Sequence, residues 1–379
     1  VITTSIIVFA GIETVILVVI SFRLQWALWK FRIRKSYTAA ITAPSVSVCI
    51  PARNETHAMT QSLERILASD YHKLEVIVFD DSSVDDTSIL VKSFAHAGVR
   101  FVPGEQLPDG WLGKNHALEV LAREASGTYI LFLDVDTFIM PTTISQLVGY
   151  AMTEDAQMVS VIPGRSDGWR ASVLFGHLRY LWELVLSRPS APATASSLWM
   201  IRQSTLLDRF GGFNDLRASP LPERALAAAT GSDYRCLISN YSLGVSYEKQ
   251  WRSQLETSRR LLYPMVGATP LAALAGGMIL VCLSLPFFVL LSTIIFGWGM
   301  LQIEAAWIEI TYMGVYGVLT SELWRQGWWA GAALWPIVIV QETLLFAASV
   351  VGYARGTITW KGRSITAKSA TVHAIRIDK

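Results

Sequence analysis

The chain has 379 residues, with 32 Lys and Arg against 30 Asp and Glu, a net charge of +2, and 52% hydrophobic against 16% charged residues. That balance excludes a wholly soluble protein, and the near-neutral charge leaves no electrostatic footprint for nucleic acid. Three cysteines, Cys49, Cys236 and Cys282, are too few and too scattered for a disulfide framework or a zinc cluster, which suits a reducing compartment.

Ile2 to Ile20 is apolar apart from Thr, Ser and Glu13, long enough to cross a hydrocarbon core, and is followed by Arg23, Lys30, Arg32, Arg34 and Lys35. With Trp26 and Trp29 at headgroup depth, the run predicts an N-terminal transmembrane helix over 1–24 whose following residues are cytoplasmic. A cleaved signal peptide would carry its positive charges in front of the apolar run instead of behind it. A juxtamembrane linker is expected over 25–43.

From residue 44 to 247 the composition is that of a soluble domain. Pro44–Arg53 predicts a first strand and Thr56–Ser69 a helix; Leu74–Asp81 predicts a second strand ending in paired carboxylates, with Asp85 just beyond, and Gly98–Val102 a third. Strands alternating with helices predict an α/β fold with a mostly parallel sheet and a ligand crevice along its carboxyl edge, where Asp81 and Asp85 would face the ligand. Gly104–Ala117 is a loop built on Gly110, Trp111 and Gly113 that runs into a helix beginning at Lys114. A lysine at a helix start opposes the macrodipole unless an anion also sits there, so Lys114 is either a diphosphate contact or a solvated charge. The signatures of triphosphate hydrolysis and dinucleotide binding are absent from the sequence.

Thr128–Pro141 is the stretch around which this region is organised. A buried strand, Tyr129–Leu133, delivers Asp134 and Asp136 on one side of its carboxyl end. Two hard oxygen ligands there suit a divalent cation bridging to a phosphate; a solvated turn after an ordinary strand is the plainer alternative. Farther on, residues 169–187 predict a helix whose broad apolar face either packs on the core or shapes an entrance for a lipid, with His177 a packed histidine in preference to a catalytic base. Glu223 begins an alanine-rich helix and is either a dipole-matched first-turn residue or a general base over the crevice, with Asp208, Asp215 and Asp233 as other acids nearby.

Residues 248–263 predict an amphipathic interfacial helix carrying Arg252, Arg259 and Arg260. Apolar segments near 265–282, 284–300, 303–320 and 330–352 predict four crossings, with the first two alternatively one helix kinked at Pro286. The basic tail, 354–379, asks for an even number of crossings and a cytoplasmic end. Glu304, Glu309, Glu322 and Glu342 are costly in lipid and are expected to face protein or the interface.

Strand-end carboxylates, the Lys114 loop and a later acid together suit a sugar nucleotide: a cation for the diphosphate, a base for an acceptor hydroxyl, and cations for the leaving group. At Pro51-Ala52-Arg53-Asn54-Glu55, Asp80 to Thr87, Gly110 to Asn115, Phe132 to Asp136 and Trp360-Lys361-Gly362-Arg363 the sequence resembles the family 2 glycosyltransferases of the GT-A fold. The likeness is to their membrane-embedded branch, with ceramide glucosyltransferase, hopanoid-associated and carotenoid-acid glycosyltransferases. The resemblance implies an inverting transfer of one hexose from a nucleotide sugar, a UDP-sugar first, to a hydroxyl or carboxyl group of a membrane lipid. It implies Mn²⁺ or Mg²⁺ on Asp134 and Asp136, nucleoside contacts from Glu55 and Asp81, and a return of Trp360 to Arg363 towards the donor; Pro51, Arg53, Lys114 and Arg259 are further candidate donor contacts, and Glu223 is the candidate base. The setting it implies is a bacterial-type inner membrane with the catalytic domain cytoplasmic. Two departures stand out: Glu223 is followed by Arg224 where the family commonly has Glu-Asp, and the family's Gln-x-x-Arg-Trp is missing around Gln254, Arg259 and Arg260. The second favours a single transfer over a processive polysaccharide synthase; a non-catalytic scaffold of this fold and a transporter working through the intramembrane glutamates are the alternatives from other classes.

Overall fold

The computed structural model describes residues 2–33, 35–37, 43–165, 178–324, 327–360 and 363–365. The described residues within 31–166 and 186–248 form one compact unit, and those within 1–30, 167–185 and 249–367 form the other. Of the stretch 169–187, the described helix Arg179–Val185 falls with the second unit.

The first unit is built on a seven-stranded sheet, in the order β3-β2-β1-β4-β8-β6-β9. Its strands are β1 (Val46–Ala52), β2 (Leu74–Asp80), β3 (Val99–Pro103), β4 (Tyr129–Leu133), β6 (Met158–Ile162), β8 (Leu198–Arg202) and β9 (Tyr234–Ile238). β8 runs antiparallel to both neighbours and all other pairings are parallel, so the sheet is mostly parallel, in keeping with the α/β reading. Strands such as β4 are buried at every residue because helices cover both faces. Alternation assigns Val46, Val48, Ile50, Leu131 and Leu133 to one face, under the helices Thr56–Leu67 and Thr143–Thr153. Cys49, Ile77, Phe79, Ile130 and Phe132 pack on the other with the helix Gly113–Glu124. A small sheet in the order β5-β10-β7 (Thr137–Phe138, Ser246–Tyr247, Gly164–Arg165) follows directly on Asp136.

Within this order the chain winds from β1 out to β3, then returns to add β4 on the other side of β1. Such a reversal opens a crevice at the carboxyl ends of β1 and β4.

The second unit holds the helix Ile2–Phe31, the short helix Arg179–Val185, the helix Trp251–Met265, and three longer helical stretches, Pro270–Phe296, Met300–Trp324 and Trp328–Arg355. The apolar segments on either side of Pro286 are one helix. By length and composition Val8–Phe31, Pro270–Phe296 and Trp328–Arg355 suffice to cross a membrane. Carboxylates among these helices meet donors on other segments: Tyr312 donates to Glu13 Oε2 at 2.9 Å, and Glu342 accepts from Trp182 Nε1 at 3.0 Å. Glu309 and Glu342 are buried, as expected of acids kept from lipid, whereas Glu322 is exposed. The helix Trp251–Met265 buries Gln254, Thr257, Ser258, Leu261 and Leu262 along one side and leaves Arg259 exposed. β11 (Ile358–Trp360) and β12 (Arg363–Ile365) form a hairpin that pairs Trp360 with Arg363. Lys361, Gly362, the side chains of Trp360 and Arg363, and residues 166–177 with His177, lie outside the described residues.

Candidate active site

The carboxyl ends of β2, β1 and β4 lie side by side. Ala52 is in register with Asp80 across the β1–β2 pair, and Pro51 with Phe79, so Arg53 and Asp81 leave the sheet together. Arg53 Nη1 donates to the Asp81 main-chain oxygen at 2.5 Å and stands 3.7 Å from Asp81 Oδ2, which fixes the guanidinium at the crevice floor. Asp81 is 4% exposed, and the main-chain N–H of Asp81 donates to Ala52 O at 2.8 Å.

The two acids at the end of β2 have different tasks. Asp80 accepts from Ser83 in its own turn and from Ser88 in the helix Thr87–Ser93. Asp81 instead lies beside Arg53.

Beyond these strands the two loops are fastened to each other. Asn54 and Ser82 both take left-handed backbone conformations, at φ 53° and 54°. Asn54 N–H donates to Ser83 Oγ at 2.9 Å, and Val84 N–H to Asn54 Oδ1 at 3.0 Å. Glu55 N–H donates to Thr87 Oγ1 at 2.8 Å. Asp85, expected to face a ligand, instead accepts from Thr56 N–H at 3.2 Å and from Thr87 N–H at 3.1 Å and its hydroxyl. Its carboxylate therefore closes the starts of two helices, a use of Asp that needs no ligand. Burial acts to raise its pKa, but the hydrogen bonds from Thr56 and Thr87 outweigh that and hold it at about 2.

One strand over, Asp134 and Asp136 leave β4 in a turn closed by Thr137 N–H to Asp134 O at 3.0 Å. The turn is pinned from outside as well: Asp134 N–H donates to Ser197 O at 2.9 Å, and Glu248 N–H to Asp136 O at 3.2 Å. Both carboxylates are half-buried. Lys114 reaches across from the first turn of its helix, its Nζ 2.6 Å from Asp134 Oδ1 and 3.3 Å from Ser196 O. That ion pair neutralises one of two acids that would otherwise repel each other.

Among the described residues no three His, Cys, Asp or Glu side chains converge as a metal cage. Two hard carboxylate donors fit a divalent cation only when other ligands, such as diphosphate oxygens, complete its sphere. Beside Lys114, Asn115 is 2% exposed and donates through Nδ2 to the carbonyls of Leu216 at 2.7 Å, Arg217 at 3.3 Å and Ser219 at 2.8 Å. Glu223, 2% exposed, lies in the first turn of the helix Pro222–Thr230 that follows this segment.

The structure thus brings Arg53, Asp81, Lys114, Asp134 and Asp136 to one edge of one sheet, with Glu55 in the adjoining loop and Pro51 in β1. Arg259, Trp360 and Arg363 belong to the other unit. Asn115 and the Ser196 carbonyl were not anticipated as partners. A main-chain acceptor carries no sequence signal, and a buried asparagine looks like any helix residue.

Residues 47–204 match the family model described as Glycosyl transferase family 2. With the sheet and its strand-end acids, this makes the region similar to family 2 glycosyltransferase domains. Glu223 and residues 358–365 lie beyond the matched span. The chain is similar to a UDP-Glc:alpha-D-GlcNAc-diphosphoundecaprenol beta-1,3-glucosyltransferase, WfaP of Escherichia coli, at 30% identity over 29% of this chain and 42% of that protein. It is also similar to a 4,4'-diaponeurosporenoate glycosyltransferase of Staphylococcus aureus, at 29% identity over 34% of each. The chain therefore spans well under half the length of these two curated relatives. In fold it resembles the mannosyltransferase PcManGT from Pyrobaculum calidifontis, solved with GDP-Man and Mn²⁺, with a TM-score of 0.56 and 19% identity over 92% of this chain and 97% of that one.

Proposed function

We propose that the protein transfers one hexose from a nucleoside-diphosphate sugar to a hydroxyl or carboxyl group of a membrane lipid, by a single displacement that inverts the anomeric carbon. The observation that carries this is the Lys114–Asp134 pair beside Asp136 at the sheet's carboxyl edge, within a chain that also has helices apolar enough to span a bilayer. Glu55 and Asp81 meet the nucleoside part, with Pro51 and Arg53 shaping the floor beneath it. Asp136, with Asp134, would hold Mn²⁺ or Mg²⁺, which would supply positive charge against the diphosphate. Lys114 holds a diphosphate oxygen, and its position at a helix start adds main-chain N–H groups of the same polarity. Glu223 takes the proton from the acceptor hydroxyl as its oxygen attacks the anomeric carbon, and the nucleoside diphosphate leaves from the opposite face. Arg259, Trp360 and Arg363 assist on the donor side.

A UDP-sugar is the first donor to test, because WfaP is named for UDP-Glc, while the fold relative holding GDP-Man makes GDP-sugars the second. The lipid acceptor draws support from the relatives' named acceptors, a diphosphoundecaprenol and a carotenoid acid. The working site is proposed to be cytoplasmic, on a bacterial-type inner membrane. The test is incubation of the purified chain in detergent with UDP- and GDP-sugars, Mn²⁺ or Mg²⁺ and extracted lipid, with products read by mass spectrometry. A lipid gaining one hexose mass is the expected result. Neither transfer nor donor hydrolysis with any donor would sink the proposal.

A further inference from the structure

Lys114 and Asn115 are consecutive residues in the first turn of the helix Gly113–Glu124, and they hold different parts of the site. A step of one residue on a helix turns the side chain by about 100°. Lys114 accordingly reaches Asp134, while Asn115 enters a turn at residues 216–219.

The hold on that turn is extensive. One amide nitrogen serves three carbonyl oxygens, those of Leu216, Arg217 and Ser219, and Leu112 N–H adds a fourth bond, to Arg217 O at 2.8 Å. Leu216 O also accepts from Ser219 N–H at 2.9 Å and Arg217 O from Leu112 N–H, so losing the amide would weaken the turn chiefly at Ser219 O, the carbonyl next to Pro220 and the start of the helix that carries Glu223. From Ser219 the connection to Glu223 is short and stiff. Ser219 Oγ accepts from Leu221 N–H at 3.4 Å, Leu221 is the cap of the next helix, and Pro222 opens it with a fixed φ.

We infer that Asn115 is a positioning residue for Glu223: through the turn 216–219 it ties the acid that attends the acceptor to the helix turn that carries the diphosphate-binding lysine. The inference rests on the proposed role of Glu223. It makes one rigid element serve both halves of the reaction, so that the base is set relative to the donor by a single turn of helix.

A double-mutant cycle on the full chain in detergent tests this, with transfer rate, donor KM and affinity for the nucleoside diphosphate measured for each form. Glu223→Gln is expected to slow transfer by about a hundredfold or more. Asn115→Ala is expected to slow it by about tenfold or more, with nucleoside-diphosphate affinity and donor KM held within about twofold. The double variant is expected to be no slower than Glu223→Gln alone, because a misplaced base and a missing base are the same loss. If Asn115→Ala does not fold, Asn115→Ser takes its place. Losses that multiply in the double variant, or nucleotide affinity falling in step with rate, would assign Asn115 to general stability and overturn the inference. A normal rate in Glu223→Gln would instead remove Glu223 from the chemistry, a failure of the functional proposal itself and separately visible.

Discussion

The ammonium of Lys114 stands 2.6 Å from Oδ1 of Asp134, joining the start of one helix to the end of one strand. Both side chains are partly open, at 19% and 29% exposure, so the pair is worth at most about 1 kcal/mol of stability in water. Its meaning lies in competition, because a cation at Asp134 and a phosphate at Lys114 would each have to displace the other's partner.

Replacing Lys114 by Met should therefore have two effects of opposite sign. Mn²⁺ alone should bind a few times more tightly, since Asp134 loses its internal cation. Nucleoside diphosphate should bind about ten- to a hundredfold more weakly, since a charge-assisted hydrogen bond to phosphate is lost. Calorimetric titrations with metal and with nucleotide separate the two; a uniform loss of both would contradict the competition.

Asp136→Asn keeps the size of the side chain and removes its charge. If Asp136 holds the cation, this change should reduce transfer by at least about a hundredfold, a loss that raising Mn²⁺ only partly restores. Chelation of divalent cations should silence the wild-type chain reversibly. A chain still fully active in excess chelator would show that Asp136 does not act through a metal.

Asp85 offers a test through pH. Its carboxylate closes the starts of two helices through its two oxygens, and replacement by Asn, which keeps one acceptor and turns the other into a donor, should lower the melting temperature at pH 7 by a few degrees, about 1 kcal/mol for the lost charged acceptor. Because hydrogen bonds hold the folded-state pKa at about 2, below the ordinary Asp value of about 3.9, the stabilising effect of the charge is complete above that ordinary value. It is lost as pH falls from there through about 2. The gap in melting temperature between wild type and Asp85→Asn, followed by intrinsic fluorescence from pH 6 to pH 2, should close over that window and stay constant above it.

Gly104 sits where the chain leaving β3 crosses the end of β2. A Cβ there would lie 2.4 Å from Asp80 O and 3.0 Å from Asp81 Cα, both main-chain atoms, so Gly104→Ala must displace the segment that carries Asp81. Destabilisation of about 1–3 kcal/mol is expected, together with weaker nucleotide binding. Gly98→Ala is the matched control: it has open space but a φ of 86°, so it should cost stability without touching nucleotide affinity.

Much of this was written locally in the chain. Alternating apolar runs that end in Asp, spaced by amphipathic stretches, specify parallel strands with acids at one edge, since period and burial are properties of single segments. The same holds for the long apolar helices. Asp134 and Asp136 were legible as acids just beyond a buried strand, although both lie in the turn after Leu133, where strand alternation does not set their directions. Division of labour among the acids was not. Asp80 and Asp81 are identical in sequence terms, and only the meeting of Asp81 with Arg53 across two strands separates them. Asp85 looked like a ligand-facing acid until the Thr56 and Thr87 donors, one of them from a distant loop, closed on it. Asn115 became more than a helix residue only because three carbonyls about a hundred positions away converge on it. Sequence by itself determined the strands, the helices and the chemistry offered at their ends; tertiary structure decided which partner each polar group keeps, because hydrogen bonds act over about 3 Å in space whatever their separation along the chain.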